Sequence, residues 1–305
     1  FLATPCFSQI MPLTFEPDGD NKKASISEQI GIVKIGVSYG RPGVKGREGR
    51  IWNTPVAHYG FADQGHGTSY STPWRAGANE NTTMSFSHPV KIEGKDLPEG
   101  TYGFFIALGE TESTLIFSKA NNSWGSFYYD SIQDALRVNV TNETLDKSVE
   151  WLRYDFSEET RSSAIIALSW EKRRIPFKVE ADIKELQMAS FRSELRTTRP
   201  FYDFIQAANY CIENNIELEQ ALAWMDRAIY FRIMGVKNFQ TLSTKAAVLF
   251  KMNRIDEAKK VMEEAIPLGA MNDVHFYGRT LINMKQSQEA MKVFKGNFDK
   301  FPNVY

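Results

Sequence analysis

The sequence is poor in cysteine, in net charge and in long apolar runs. Only 2 of its 305 residues are cysteine, and its 36 basic residues are balanced by 37 acidic ones. A protein that binds nucleic acid by neutralising phosphates has an excess of basic residues, so we expect no nucleic-acid partner. Because no charge-free apolar run is long, we also expect no transmembrane helix. At this length two domains are expected rather than one.

The first residues have the character of an export signal. Residues 1–8 are apolar and uncharged and end in small residues, like the tail of a secretory signal peptide that is cleaved after Ser8. The alternative is an apolar N-terminus without that role. On the first interpretation this is a periplasmic or secreted bacterial protein, and Cys6 leaves with the signal. Cys211 is then the only cysteine of the mature chain, which excludes an intramolecular disulfide.

From about residue 24 to residue 179, apolar residues alternate with polar or small ones. Segment 32–39 shows the pattern well, with Val33, Ile35, Val37 and Tyr39 on one face. Similar alternation recurs in segments 83–92, 102–108, 136–140, 152–156, 164–170 and 173–179. Alternation places one side of a strand in a core and the other in water. Short strands separated by turn residues, with no helix between them, predict an antiparallel β-sandwich over residues 24–180.

After residue 180 the apolar period becomes helical. Residues 181–200 predict a linker helix, and an internal repeat follows in residues 201–305. Its segments align on Ala221, Ala258 and Ala290, which are 37 and 32 residues apart. This spacing brackets the period of about 34 residues of tetratricopeptide repeats, which the segments resemble. The resemblance implies antiparallel helix pairs with small residues at their crossings, and a surface that binds a protein or peptide.

Three segments of the β region are distinctive. They read YGRPGVKGR at residues 39–47, PWRAGANENTT at residues 73–83 and LPEGTY at residues 97–102. In this order they resemble the bacterial family called domain of unknown function 2911, over roughly residues 24–180. Members often carry an export signal and, in some cases, a C-terminal tetratricopeptide region. The resemblance implies a fold and a compartment but no reaction, and the stretch between Arg47 and Trp74 is longer here than the family pattern.

Trp74, Arg75, Asn79 and Glu80 form the densest cluster of aromatic and polar residues. A stacking ring, a guanidinium, an amide and a carboxylate are the groups that a site for a polar small ligand or a glycan would use. The alternative is internal, with Arg75 paired to Glu80 and Asn79 holding a turn. Both interpretations predict that these residues lie together at the edge of a strand.

Two further groups are candidates for ligand chemistry. Arg41, Lys45 and Arg47 follow a predicted strand and suit either an anion site or an exposed loop. The second group, on a glycine-rich stretch, suits either a divalent metal site or a solvent-exposed loop. It consists of His58, Asp63 and His66.

These residues support two classes of function. The sequence has no nucleophile elbow, P-loop, dinucleotide fingerprint or HExxH motif, so no cofactor is expected beyond that divalent metal. The leading hypothesis is an exported, non-catalytic binding or scaffold protein, in which a β-sandwich is joined to helical repeats that bind a protein or peptide. The alternative is a metal-dependent hydrolase that uses His58, Asp63 and His66. A third interpretation gives the helical half only a stabilising role.

Overall fold

The alternating part of the sequence forms ten strands in the computed structural model, which describes residues 21–283 and 285–302. In chain order these strands are β1 (Lys22–Ile30), β2 (Val33–Arg41), β3 (Thr82–Phe86), β4 (Val90–Ile92), β5 (Lys95–Leu97), β6 (Gly100–Ala107), β7 (Glu112–Ser118), β8 (Asp134–Thr141), β9 (Glu143–Ser157) and β10 (Ser163–Glu180). Residues 1–8, on which the export prediction depends, lie outside the described residues.

The strands form two antiparallel sheets that share one core. The six-stranded sheet has the order β1-β2-β3-β6-β7-β8, and the four-stranded sheet has the order β5-β4-β10-β9. Inward residues of both sheets belong to the same buried cluster, and the rings of Phe104 (β6) and Phe177 (β10) stack with centroids 5.8 Å apart. Two sheets that face each other across a common core make a β-sandwich, which confirms the predicted fold class.

Burial on both faces explains β7, a strand that the alternation does not predict. Leu115 and Phe117 face the main core, whereas Ile116 packs in a second, smaller cluster with Phe105 and Tyr129. A strand that is buried on both faces reads as a continuous apolar run rather than an alternating one. The second cluster lies on the outer side of the six-stranded sheet, where loops cover it.

Seven helices follow the strands in the described residues. They are α1 (Ile183–Glu194), α2 (Phe201–Asn214), α3 (Leu218–Tyr230), α4 (Phe239–Lys251), α5 (Ile255–Ala265), α6 (Met271–Asn283) and α7 (Ser287–Lys300). None of these described helices is long and apolar enough to cross a membrane. The chain divides into a β unit, Phe1–Gln187, and a helical unit, Met188–Tyr305, so the boundary falls inside α1 rather than at its start.

The helical unit repeats one arrangement three times. The pairs α2 and α3, α4 and α5, and α6 and α7 each contact across a short connection, as antiparallel helix hairpins do. The eighth residue of each first helix and the fourth residue of each second helix are small and buried. These residues are Ala208, Ala246 and Gly278 on the first helices and Ala221, Ala258 and Ala290 on the second. The repeat seen in the sequence is therefore a repeat of helix pairs.

Ala258→Leu is expected to lower the free energy of unfolding of the helical unit by about 1–3 kcal/mol, because extra methylenes in a packed core force its neighbours apart. Ala258 is 0% exposed and lies in one cluster with Leu242, Ala246 and Met262. Urea unfolding followed by the helical circular dichroism signal measures the loss. The matched control is Ala223→Leu on the exposed face of α3, where we expect a change within about 0.5 kcal/mol. Equal losses in the two variants would contradict the assignment of Ala258 to a helix crossing.

Candidate functional site

Trp74 lies in the core of the β unit. Its side chain is 3% exposed, its ring stacks on Trp170 with centroids 6.2 Å apart, and it makes a T-shaped contact with Trp52 at 5.9 Å. Its backbone exchanges two hydrogen bonds with Ile106 of β6, at 3.0 and 2.9 Å. The ring is therefore not available to stack on a ligand, and the predicted ligand cluster has no aromatic face from this residue.

Arg75 and Asn79 hold the loop that leads into β3. The Nη1 atom of Arg75 donates to the carbonyl oxygen of Asn79 at 2.9 Å, and the guanidinium lies 4.8 Å from the centroid of the Phe127 ring. Burial lowers the pKa of Arg75. Asn79 has a left-handed backbone with φ of 64°, and its side-chain oxygen accepts from Asn21 at 3.3 Å. Both side chains thus bind neighbouring parts of the chain.

Glu80 pairs with Lys23 of β1 rather than with Arg75. The Lys23 Nζ atom lies 3.0 Å from Glu80 Oε1. Burial acts to raise the pKa of the Glu80 carboxyl, but hydrogen bonds from its own backbone N–H and from Lys23 outweigh that effect, and the pKa is lowered. The predicted ion pair between Arg75 and Glu80 is replaced by two separate contacts that attach the same loop to its surroundings.

The distinctive segments at residues 39–47 and 73–83 pack against each other through their backbones. A Cβ atom on Gly40 would lie 2.0 Å from the carbonyl oxygen of Ala78, so only glycine allows this approach. The ring of Tyr39 lies 4.7 Å from that of Tyr154 in β9, and the Tyr154 hydroxyl donates to the carbonyl oxygen of Ala76 at 2.9 Å. Burial raises the pKa of Tyr154 well above its usual value. These contacts give the two segments a structural role.

The two arginines of the predicted anion site bind backbone carbonyl groups. Arg41 Nε donates to the carbonyl oxygen of Leu152 at 3.0 Å, and Arg47 donates through Nε and Nη2 to two carbonyl oxygens of its own loop, at 3.0 and 2.7 Å. The backbone N–H of Lys45 donates to the carboxylate of Glu150 at 3.0 Å. Both guanidiniums are thus engaged in holding the loop after β2 in place.

His58, Asp63 and His66 have separate local partners. The His58 Nε2 atom lies 2.9 Å from the carbonyl oxygen of Thr72, and Asp63 Oδ1 accepts from the backbone N–H two residues later at 2.8 Å. The ring of His66 makes a T-shaped contact with Phe127 at 5.9 Å. In residues 21–283 and 285–302 no three His, Cys, Asp or Glu side chains are grouped as a metal site. The three residues are therefore not gathered into one ligand set.

A cavity of about 620 Å³ on the β unit, which we name the aromatic cavity, brings together residues that the sequence analysis did not select. It is lined by Phe61, residues 68–71, residues 128–131 and Arg137. Tyr70 is 80% exposed and Tyr128 is 61% exposed, so two phenol rings stand at the surface beside hydroxyl groups of serine and threonine. Concave sites with aromatic walls and a few polar groups are typical of ligand binding.

One polar group of the aromatic cavity has a fixed orientation. Arg137 Nε donates to Asp134 Oδ2 at 2.6 Å, and Arg137 Nη2 donates to the Tyr129 hydroxyl at 2.7 Å. The Tyr129 hydroxyl in turn donates to Asp134 Oδ2 at 2.6 Å. Burial, and then the hydrogen bond to Asp134, raise the pKa of Tyr129 well above its usual value. The guanidinium also lies over the Phe61 ring, 5.4 Å from its centroid, so hydrogen bonds hold it at its edge and an aromatic ring covers one face.

A second cavity, of about 490 Å³, lies along the first helices of the three helix pairs. This helical groove is lined by Ile212 of α2, by residues of α4 between 239 and 251, by Met262, and by residues of α6 between 273 and 280. Its walls are mostly apolar, and Phe276 is 62% exposed within it. Burial, followed by the nearby carboxylates of Glu289 and Glu263, raises the pKa of Tyr277 to about 12.

Comparison with known proteins matches the β unit alone. A family model described as protein of unknown function DUF2911 matches residues 21–179. The chain belongs to this family. The match confirms the family that the three distinctive segments predict, and it ends before the first helix. No curated protein and no solved structure matches the chain.

The aromatic cavity of this DUF2911 protein was missed because its residues come from two distant parts of the sequence, residues 61–71 and residues 128–137. Tyr70 and Tyr128 belong to segments that read TSYS at residues 68–71 and SFYYDS at residues 126–131. Tyrosines among serines, in stretches without strand alternation, are a signal for exposed rings on loops. Loops held by a rigid sheet are where binding residues concentrate, and that reasoning could have selected both segments.

Proposed function

We propose that this protein is a non-catalytic binding protein whose helical unit binds a peptide segment of a partner in the helical groove. The observation that carries the proposal is a mostly apolar groove along the first helices, which no described residue fills. Apolar side chains exposed side by side on neighbouring helices gain free energy when a partner covers them. If the helical unit only stabilised the β unit, it would not require this groove.

The repeat supports the same proposal. Small buried residues recur at equivalent positions of the three helix pairs, as expected of tetratricopeptide-like hairpins that pack closely at each crossing. Stacked helix pairs expose a continuous surface along their first helices, and proteins of this architecture use that surface for binding. In the described chain α2 also contacts α4, so the first helices of the first two pairs lie side by side.

The lining of the groove indicates the chemistry of the peptide. Phe239, Phe250 and Phe276 provide apolar contacts, whereas Lys251 and Asp273 provide one charge of each sign. We therefore propose a segment with spaced apolar anchors and at least one charged residue that pairs with Lys251 or Asp273. Peptides that lie in such grooves are recognised through anchors of this kind.

The metal-dependent alternative has less support. His58, Asp63 and His66 each have a local contact within the β unit, and the described residues place no third ligand beside any two of them. Export to the periplasm or the medium stays a prediction, and the binding proposal does not depend on it.

Selection from a phage-displayed library of random peptides tests the proposal. We expect enriched peptides with spaced apolar residues, and we expect Phe276→Ala to weaken their binding about tenfold, which corresponds to the loss of one well-packed aromatic contact. Fluorescence polarisation with a labelled copy of the enriched peptide measures the affinity.

The matched control is Phe298→Ala on α7, where the side chain is 51% exposed but does not line the groove. This variant is expected to bind the peptide like the unaltered protein. Failure to enrich any peptide, or equal binding by the Phe276 and Phe298 variants, would count against the helical groove as the binding surface.

A further inference from the structure

We propose that the aromatic cavity of the β unit is a binding site for a neutral saccharide. This inference is independent of the helical groove, because all of its residues belong to the β unit. The cavity of about 620 Å³ falls within the range of roughly 300–1,000 Å³ that is common for small-ligand sites. It can therefore accept a ligand larger than one sugar ring.

The exposed rings are the first reason for the assignment. Tyr70 and Tyr128 leave most of their surface in water, although large aromatic side chains gain free energy from burial. Both line the same cavity, and each ring offers an apolar face and a phenol hydroxyl. A pyranose ring has the same dual character, with an apolar C–H face and hydroxyl groups at its edge. Stacking of the faces leaves the hydroxyl groups of both partners free for hydrogen bonds.

The polar groups of the cavity suit the hydroxyl groups of a sugar. Thr68, Ser69, Ser71 and Ser131 line it and can each donate and accept a hydrogen bond. Arg137 uses Nε and Nη2 for its bonds to Asp134 and Tyr129, and its Nη1 atom has no hydrogen-bond partner among the described residues. A donor whose orientation is already fixed loses little entropy when it binds a ligand.

A buried hydrogen-bond acceptor beside two of the lining residues also supports a ligand that carries hydroxyl groups. The Asp134 side chain is 9% exposed, and its Oδ1 atom has no hydrogen-bond partner in the described part of the chain. A buried carboxylate oxygen without a partner is costly unless water or a ligand satisfies it. Asp134 contacts both Tyr129 and Arg137, which line the cavity, so this unsatisfied acceptor lies directly behind two residues of the cavity wall.

The charge of the cavity favours a neutral ligand over an anionic one. Arg137 is the only basic residue of the lining within the described chain, and it is already paired with Asp134 at 2.6 Å. Asp130 adds a carboxylate, and its Oδ1 atom accepts from the backbone N–H of Ile132 at 3.0 Å. A phosphate or carboxylate ligand would therefore meet at least as much negative as positive charge.

Isothermal titration calorimetry of the full chain with a panel of oligosaccharides tests the proposal. The neutral probes are cellohexaose, maltohexaose, mannohexaose and chitohexaose, and the anionic probe is hexagalacturonate. We expect at least one neutral probe to bind with a Kd below about 1 mM and more tightly than the anionic probe. No binding by any of the four neutral probes, or tighter binding of the anionic one, would overturn the proposal.

Substitutions locate the site. Tyr70→Ala and Tyr128→Ala are each expected to weaken binding of that probe about tenfold, because each removes one stacking face. The matched control is Tyr202→Ala on α2, where the side chain is 55% exposed but does not line the aromatic cavity, and it should not change the affinity. The rings are exposed, so the melting temperature of the three variants should stay close to that of the unaltered protein. Unchanged affinity in both cavity variants would place the sugar elsewhere and refute the assignment.

Discussion

Gly40→Ala is expected to lower the free energy of unfolding of the β unit by about 3 kcal/mol or more, a large effect for a single methyl group. The added Cβ atom would lie 2.0 Å from the carbonyl oxygen of Ala78. Hydrogen bonds to the carbonyl oxygens of Ala76 and Asn79 hold the backbone on both sides of Ala78. The Ala78 oxygen therefore cannot move away at low cost. Unfolding in urea followed by tryptophan fluorescence measures the loss, because five of the six tryptophans lie in the β unit.

Gly46→Ala is the matched control for this prediction. Gly46 lies in the same region and has a left-handed φ of 71°, but a Cβ atom there would meet nothing within 4 Å. The substitution carries only the cost of the left-handed backbone, about 1 kcal/mol. A loss in Gly40→Ala no larger than that in Gly46→Ala would mean that the two segments do not pack as closely as described.

The same contact explains why two of the distinctive family segments occur together. Gly40 allows the backbone of residues 73–83 to approach β2, and Tyr39 contacts Tyr154, whose hydroxyl binds Ala76. The residues that identify the family are therefore ones that the packing of the fold requires. Such residues identify the fold well, and they say little about a ligand.

The sequence predicted the fold class because alternation and helical period are local signals. Strand β2 shows this most clearly, since residues 33, 35, 37 and 39 are all buried in one core. Local signals failed for β7, which is buried on both faces, and for a strand whose pairing register is irregular. Segments 164–170 and 173–179 were predicted as separate strands, but they form one strand, β10, whose register shifts near Glu171. That shift depends on pairing with β9, which no single segment encodes.

The candidate site was harder to predict than the fold. Trp74, Arg75 and Glu80 were selected because they are adjacent in the sequence, and the structure directs them to different partners. The aromatic cavity instead combines Phe61, Tyr70, Tyr128 and Arg137, which no sequence window contains. Residue type alone does not distinguish a tryptophan that packs in the core from one that stacks on a ligand, because the same ring serves both purposes.

Trp74→Ala is expected to lower the free energy of unfolding of the β unit by about 3–5 kcal/mol, as is typical when a large buried aromatic side chain is removed. The ring of Trp74 is 3% exposed and packs against both Trp52 and Trp170, so its loss leaves a cavity in the core. The neighbouring rings can collapse only in part, since Trp52 Nε1 is held by a hydrogen bond to Glu171 at 2.9 Å. The urea midpoint from tryptophan fluorescence measures the effect.

Trp124→Ala separates this expectation from the alternative in which Trp74 serves a ligand. The Trp124 side chain is 46% exposed in the same unit, so its removal should change the free energy of unfolding by about 1 kcal/mol or less. If Trp74 served a ligand from the surface, its variant would be as stable as the Trp124 variant and would lose binding instead. A Trp74 variant with unaltered unfolding would therefore contradict the buried position of the ring and restore the ligand cluster of Trp74, Arg75, Asn79 and Glu80. A loss several times larger than that of Trp124→Ala would leave Trp74 as a core residue, because burial is the main difference between these two tryptophans.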